Sequence, residues 1–129
     1  QNRPVMRGMR SVGRVDIGRV VHLAETAERA AEQGLLATHA PATGFDLVVC
    51  DINGHPGTCA RAIEAALPWC TKNAALLLTL KMVRKGGHST RALEAEAREA
   101  LSAHWDIIAI EQLFANGRHE RTLTARRRR

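Results

Sequence analysis

The chain has 129 residues, a formal net charge of +6 at pH 7 and three cysteines. This length suffices for one domain or most of one, and the sequence contains no run of about 18 apolar residues that could span a membrane. The cysteines match neither a zinc-ligand spacing nor the even count of a disulfide framework, which favours a reducing compartment. We therefore expect an intracellular protein, cytoplasmic or mitochondrial and not secreted, with no membrane partner and no metal site.

Positive charge is concentrated at the two ends of the sequence. Residues 1–19 carry five Arg and one Asp, residues 118–129 carry six Arg and one Glu, and the part between them holds eight basic and eleven acidic residues. A mildly acidic body with basic ends favours a nucleic-acid partner more than a uniformly basic surface would. The alternative is that residues 126–129 form a disordered, solvated basic tail.

The hydrophobic pattern predicts strands and helices in alternation. The predicted elements, in chain order, are a strand over 20–23, a helix over 26–36, a strand over 46–50, a helix over 58–70, a strand over 74–82, a helix over 90–104 with Ser89 as its N-cap, and two strands over 106–113 and 121–125. The strand over 74–82 is nearly all apolar, which is typical of burial on both faces. The last two strands surround "FANGRHE" and form a hairpin.

Strands separated by helical stretches of this length indicate βαβ units, with a parallel sheet and right-handed crossovers. The closing hairpin adds an antiparallel strand at the edge. The prediction is therefore an α/β fold with a mostly parallel sheet and an antiparallel C-terminal hairpin. The sequence shows no domain boundary within 1–129.

Charged side chains stand where the predicted strands end. Asp51 follows the apolar run in "FDLVVCDINGHP", and Lys81 lies near the end of "AALLLTLKM". A carboxylate is costly to bury without a partner, so Asp51 is either solvated or placed for chemistry. Ligands of open α/β sheets gather at the carboxyl ends of strands, and we expect Asp51 and Lys81 to meet at that edge. Glu120 begins the last strand, in "GRHERTLTAR", and is the third charged residue of this candidate site.

The segments "VVCDINGHP", "LLLTLKM" and "GRHERTLTAR", in this order and spacing, resemble the FtsJ-like 2'-O-ribose methyltransferases, and most closely the RlmM-type branch that acts on ribosomal RNA. The resemblance covers residues 4–126. It implies a Rossmann-like class I methyltransferase sheet, S-adenosylmethionine as cofactor and RNA, expected to be ribosomal RNA, as substrate. It also places Asp51, Lys81 and Glu120 in the family's Lys–Asp–Lys–Glu tetrad.

The resemblance implies that Lys81 deprotonates or polarises the ribose 2'-hydroxyl, while Asp51 and Glu120 orient it and balance its charge. A lysine acts as a base near neutrality only if its pKa falls below its ordinary value of about 10.4, and partial burial beside a second cation would lower it. The hydroxyl must also lie in line with the methyl sulfonium, so that positioning supplies much of the rate.

Further roles are expected for residues around this set. Glu25, in "VHLAET", corresponds to an acidic residue of the family near the adenine of the cofactor, and Asp51 also borders the cofactor. An acidic residue at the start of a helix is explained equally well by the helix dipole. Phosphate contacts with RNA are expected from four basic residues, Arg84, Lys85, Arg118 and Arg121.

The sequence departs from the family pattern in two ways. Neither the glycine-rich cofactor loop nor the first catalytic lysine is found, so we expect the catalytic part of the domain, with the N-terminal strands and the cofactor loop upstream of Gln1 or on a separate chain. The main alternative is a catalytically silent, methyltransferase-like protein that binds RNA or is a structural component of a ribosome. A small-molecule methyltransferase of the same fold is a third hypothesis.

Overall fold

The computed structural model describes residues 20–81, 90–114 and 116–129. In chain order the elements are α1 (Ala27–Glu32), α2 (Leu35–His39), β1 (Phe45–Cys50), α3 (Pro56–Ala66), a 3-10 turn (Leu67–Trp69), β2 (Cys70–Lys81), α4 (Thr90–Leu101), β3 (Trp105–Glu111) and β4 (Glu120–Arg127). The predicted N-cap, Ser89, lies outside the described residues.

The described strands form one mixed sheet in the order β1-β2-β4-β3. Strand β1 pairs with β2 in parallel, and β4 pairs antiparallel with both β2 and β3. The α/β class and the closing hairpin are therefore confirmed. The prediction of a mostly parallel sheet is wrong for the strand pairs, because two of these three pairings are antiparallel.

The antiparallel strand β4 lies inside the sheet, next to β2, as is required for Glu120 to meet Lys81, and β3 is the edge strand that the hairpin contributes. Leu123 and Ala125 of β4 are buried, which suits a central strand, while β3 carries exposed Asp106 and Glu111 and forms the edge. Because β4 is antiparallel to both of its neighbours, β1, β2 and β3 all run in the same direction.

Three other predicted elements differ from the structure. Residues 20–23 form no strand, and both valines there are more than a third exposed. The predicted helix over 26–36 is divided into α1 and α2, because Gly34 adopts a left-handed conformation with φ of 74°. Strand β2 begins at Cys70 and not at residue 74, since Pro68 ends α3 in a 3-10 turn.

The core lies between one face of the sheet and the helices α3 and α4. Alternate residues of β2 point into it, including Leu76 and Leu78, where they join Ile63 of α3 and Leu93 of α4. On the opposite face, Val49 is 64% exposed and its β2 partner Leu77 is 38% exposed. The predicted burial of β2 on both faces is thus wrong within the part of the chain that the structure describes.

Gly44 allows the backbone at the start of β1 to approach the start of β2 closely. Its φ is +98°, and a Cβ at this position would lie 2.9 Å from the carbonyl oxygen of Trp69. Only glycine combines this backbone conformation with such a close approach. The contact fixes where β1 begins beside Cys70, whereas the register shifts between Phe45 and Leu47, and the pairing of Cys50 with Leu78 sets where Asp51 emerges.

We expect Gly44→Ala to destabilise the fold more than Gly34→Ala. Gly34 also has a positive φ, but a Cβ added there would meet no atom within 4 Å. The Gly34 variant should lose about 1 kcal/mol of unfolding free energy from backbone strain, and the Gly44 variant a further 1–3 kcal/mol or so from the clash. Urea denaturation of both variants measures the difference. Equal losses would show that the Gly44 contact is unimportant.

Candidate functional site

A lysine ammonium lies between two carboxylates at one edge of the sheet. Lys81 Nζ is 2.6 Å from Asp51 Oδ1 and 2.7 Å from Glu120 Oε2, and it donates a hydrogen bond to each. The side chains are 25% exposed for Lys81, 61% for Asp51 and 30% for Glu120. The structure therefore brings together the three residues that the sequence predicts as catalytic, at a position that solvent can reach.

The strand register explains why these residues meet. Lys81 is the last residue of β2 and pairs directly with Glu120, the first residue of the antiparallel β4. Asp51 follows the last residue of β1, and β1 runs parallel to β2. The end of β1, the end of β2 and the beginning of β4 therefore share one edge.

The β3–β4 connection orients Glu120. The backbone N–H of Gly117 donates to Glu120 Oε1 at 2.8 Å, so both carboxylate oxygens of Glu120 are engaged. Asn116 holds the connection in place, because its Oδ1 accepts from Leu113 N at 2.7 Å and from Thr122 Oγ1 at 3.0 Å. The sequence predicts only a hairpin turn for this segment, because its Asn–Gly pair signals the turn but not the contact with Glu120.

The two carboxylates raise the pKa of Lys81 above its ordinary value, first through the hydrogen bond to Asp51 and then through that to Glu120. The hydrogen bond from Lys81, with that from Gly117 N–H, lowers the pKa of Glu120. The partners of Lys81 among the described residues are thus carboxylates and not a second cation, which favours its ammonium form. In this structure Lys81 donates hydrogen bonds to both carboxylates.

The thiols beside this site are not nucleophiles. Burial, followed by the neighbouring Cys59, raises the pKa of Cys50 to about 11, and burial also raises the pKa of Cys59. Because the thiolate is the reactive form, both side chains stay protonated and inert near neutrality. The charged groups of the site, and not its cysteines, carry whatever chemistry occurs there.

A cavity of about 440 Å³ adjoins Asp51. Its walls are the start of α1, the end of β1 and one side of α3, and its lining includes Glu25, Val48, Asp51, Ile52 and Ile63. Apolar walls with a few acceptor groups are typical of small-molecule sites of this size.

These residues fit part of S-adenosylmethionine. The apolar walls suit an adenine ring, and the carboxylates of Glu25 and Asp51 suit hydroxyl and amino donors. Glu25 also forms an ion pair with Arg29, whose Nε lies 3.1 Å from its Oε1. The structure thus places both predicted cofactor residues on one cavity.

Two of the predicted RNA-binding residues, Arg118 and Arg121, belong to the part of the chain that the structure describes. Arg118 is exposed in the β3–β4 connection, and Arg121 donates from Nη1 to the carbonyl oxygen of Glu120 at 3.1 Å. Arg121 pairs with Leu80, so its side chain lies on the face opposite to Lys81. Arg84 and Lys85 lie outside the described residues.

The predicted basic tail is instead a folded segment. Arg126 and Arg127 belong to β4, and their guanidinium groups donate to carbonyl oxygens at the start of β2. Arg128 pairs with Asp106 at 2.9 Å, and Arg129 donates to Asn73 Oδ1 at 3.0 Å. Each of the four arginines has a partner, so the interpretation as a disordered tail is wrong.

Comparison with known proteins yields no family assignment. No family model matches the chain, and no curated protein matches it significantly. Within the described ranges, no helix is long and apolar enough to cross a membrane, and no three His, Cys, Asp or Glu side chains are grouped to hold a metal ion.

The Lys81 site should respond to pH in a defined way. A lowered pKa for Glu120 means that its share of stability is present above its ordinary pKa of 4.5 and is lost as pH falls through the lowered value. A raised pKa for Lys81 means that its share is present below 10.5 and is lost as pH rises through the raised value.

We therefore expect Lys81→Met to raise the pKa of Glu120, because the cation that lowers it is removed while Asp51 remains. Carboxyl carbon chemical shifts followed against pH by NMR measure this pKa. Lys72→Met, which removes the same charge from the opposite end of β2, is the matched control and should leave the Glu120 titration unchanged. An unchanged titration in Lys81→Met would contradict the ion pair.

Proposed function

We propose that this chain is the catalytic part of an S-adenosylmethionine-dependent RNA ribose 2'-O-methyltransferase, with ribosomal RNA as its expected substrate. The observation that carries the proposal is the Lys81 ammonium held between Asp51 and Glu120 at the strand ends. It occurs at the three positions that the resemblance to FtsJ-like enzymes selects from the sequence.

The site retains hydrogen-bonding capacity for a hydroxyl group. An ammonium has three N–H donors, and Lys81 uses two of them on the carboxylates, which leaves one for a substrate oxygen. Asp51 accepts through Oδ1, while its Oδ2 has no hydrogen bond from the described residues. A ribose 2'-hydroxyl could therefore accept from Lys81 and donate to Asp51 Oδ2.

This geometry suggests a division of roles that differs from lysine acting as a base. Because Lys81 is protonated, it would stabilise the negative charge that develops on the 2'-oxygen, and Asp51 would receive the hydroxyl proton. Glu120, engaged through both oxygens, would hold Lys81 in place. When bound, S-adenosylmethionine supplies the electrophilic methyl group, and the cavity bordered by Glu25 and Asp51 is the proposed place for its adenosine.

A second candidate function is a methyltransferase-like protein that binds RNA without chemistry. The raised pKa of Lys81 favours it, since a purely structural ion cluster would also keep the lysine protonated. The two functions differ in one respect that can be measured. An enzyme has methyl-transfer turnover, which substitution of Lys81 would abolish while its ligands still bind, whereas a silent RNA-binding protein has no turnover to lose.

We expect Lys81→Ala in the full-length protein to lower single-turnover methyl transfer to RNA by at least about 100-fold, with cofactor affinity nearly unchanged. The loss would lie in the chemical step, because Lys81 contacts Asp51 and Glu120 and does not line the cavity. Incorporation of labelled methyl groups measures turnover, and calorimetry measures the cofactor affinity.

Arg98→Ala, an exposed cation on α4, is the matched control for loss of a positive charge and should retain turnover. Absence of methyl transfer in the wild-type protein on every RNA tested would favour the silent RNA-binding alternative. Full activity in Lys81→Ala would remove the proposed role of this residue.

The cofactor assignment has a separate test. Glu25→Ala in the full-length protein should weaken binding of S-adenosylmethionine by about tenfold, the loss expected for one hydrogen bond to a charged group. Glu32→Ala, on α1 but outside the cavity lining, is the control and should bind normally. Equal affinities for the two variants would show that Glu25 pairs with Arg29 at the start of α1 without touching the cofactor.

A further inference from the structure

A cluster of cations lies at the end of the sheet opposite to Lys81. It consists of Lys72 at the start of β2 and Arg126, Arg127, Arg128 and Arg129 at the end of β4, and we call it the arginine cluster. Four of these five residues, with Asn73, line a cleft of about 770 Å³. The cleft is open to solvent and separate from the cavity beside Asp51.

The cluster is built into the fold. Arg127 Nη1 donates to the carbonyl oxygen of Cys70 at 2.6 Å, and Arg126 Nη1 donates to that of Asn73 at 3.0 Å. The backbone N–H of Arg128 donates to the His104 carbonyl oxygen at 2.9 Å. These contacts orient the guanidinium groups without neutralising them, because a carbonyl group carries no net charge.

Negative charge at the cluster is scarce. Among the described residues, the only carboxylate in an ion pair with it is Asp106, which lies 2.9 Å from Arg128 Nε. Five cations therefore face one anion, and each guanidinium group has five N–H donors, of which the described contacts use one or two. An excess of oriented donors and positive charge is suited to an anionic ligand with several acceptor oxygens.

We propose that the arginine cluster is a second RNA-binding surface, which binds the sugar–phosphate backbone at a distance from the Lys81 site. This inference rests on the proposed function for the choice of RNA as the anion. Successive side chains of β4 point to opposite faces of the sheet, so Arg126 and Arg127 place positive charge on both sides of one edge. Positive charge spread over both sides of the edge matches a chain of phosphates better than a single phosphate group.

The recognition is expected to be independent of base sequence. The lining of the cleft contains no aromatic side chain on which a base could stack. Contacts from arginine and lysine to phosphates fix the position of a nucleic acid but carry no sequence information. The cluster would thus hold a flanking part of the substrate while the target nucleotide occupies the Lys81 site.

The separation between the two surfaces follows from β2. The ten residues from Lys72 to Lys81 span about 30 Å of extended strand. At the rise of about 3.4 Å per phosphate of a stacked strand, about nine nucleotides reach both surfaces, and an extended single strand reaches both with fewer. A substrate much shorter than this would contact one surface only.

The test measures binding of a fluorescent oligouridine of about 20 nucleotides to the chain, by anisotropy, as a function of salt. For single-stranded nucleic acid the slope of log affinity against log salt is about −0.7 per neutralised phosphate. Lys72→Gln with Arg129→Gln should therefore make the slope shallower by about 1.4. These residues are chosen because neither holds a backbone carbonyl of the fold in the described contacts, and circular dichroism checks that the variant is folded.

Two further variants complete the design. Arg91→Gln with Arg98→Gln removes the same charge from α4 and should leave the slope unchanged. Asp106→Asn frees Arg128 from its ion pair and should steepen the slope by up to about 0.7, a change that unfolding could not produce.

The proposal is overturned if the cluster variant and the α4 variant have equal slopes, or if the chain does not bind oligouridine. It is also overturned if polyglutamate competes as well as RNA does, which would assign the cluster to an acidic protein. Its outcome is separable from that of the methyl-transfer proposal. Lys81→Ala tests turnover. If the cluster variant has a shallower salt slope but still methylates a short RNA, the cluster contributes to RNA binding and not to the chemical step. Cluster binding without any methyl transfer would leave this proposal standing and remove the enzymatic one.

Discussion

The pairing of Lys81 with Asp51 and Glu120 depends on β2 having a parallel neighbour on one side and an antiparallel neighbour on the other. A parallel neighbour brings its end to the end of β2, and an antiparallel neighbour brings its beginning. One cation at the end of β2 can therefore meet a carboxylate from each side. With two carboxylates and one ammonium, the group has a net charge of −1, which favours a cationic ligand.

The net charge of this group also bears on the proposed chemistry. A negative site binds a cation well but resists formation of an alkoxide, because the new charge has the same sign. Transfer of the hydroxyl proton to Asp51 would neutralise this carboxylate as the 2'-oxygen gains a negative charge. The Lys81 ammonium would then be the nearest cation to that oxygen and would stabilise its charge. A base role for Lys81 would instead require release of the proton that two hydrogen-bonded carboxylates hold in place.

Much of the site could be predicted from the sequence, because its residues lie at strand ends and strand ends follow from hydrophobic pattern. The position of Asp51 after "LVVC" and of Lys81 after "LLLTL" needs only the rule that parallel strands end at one edge. A local pattern does not specify which neighbour a strand pairs with, so the internal position of β4 follows only from the requirement that Glu120 meet Lys81. The break at Gly34 and the contacts of residues 126–129 depend on backbone conformation and on tertiary partners that the pattern does not encode.

The same register connects the two ends of the sheet. Because β4 is antiparallel to β2, pairing Glu120 with Lys81 also places Arg126 opposite Ala75, close to Lys72. A slip of one residue would move Glu120 to the helix-covered face and would reverse the faces of the arginines at the same time. Leu123 and Ala125 resist such a slip, since it would expose them and bury their polar neighbours. The apolar alternation of one central strand thus fixes both the carboxylate at Lys81 and the basic edge about 30 Å away.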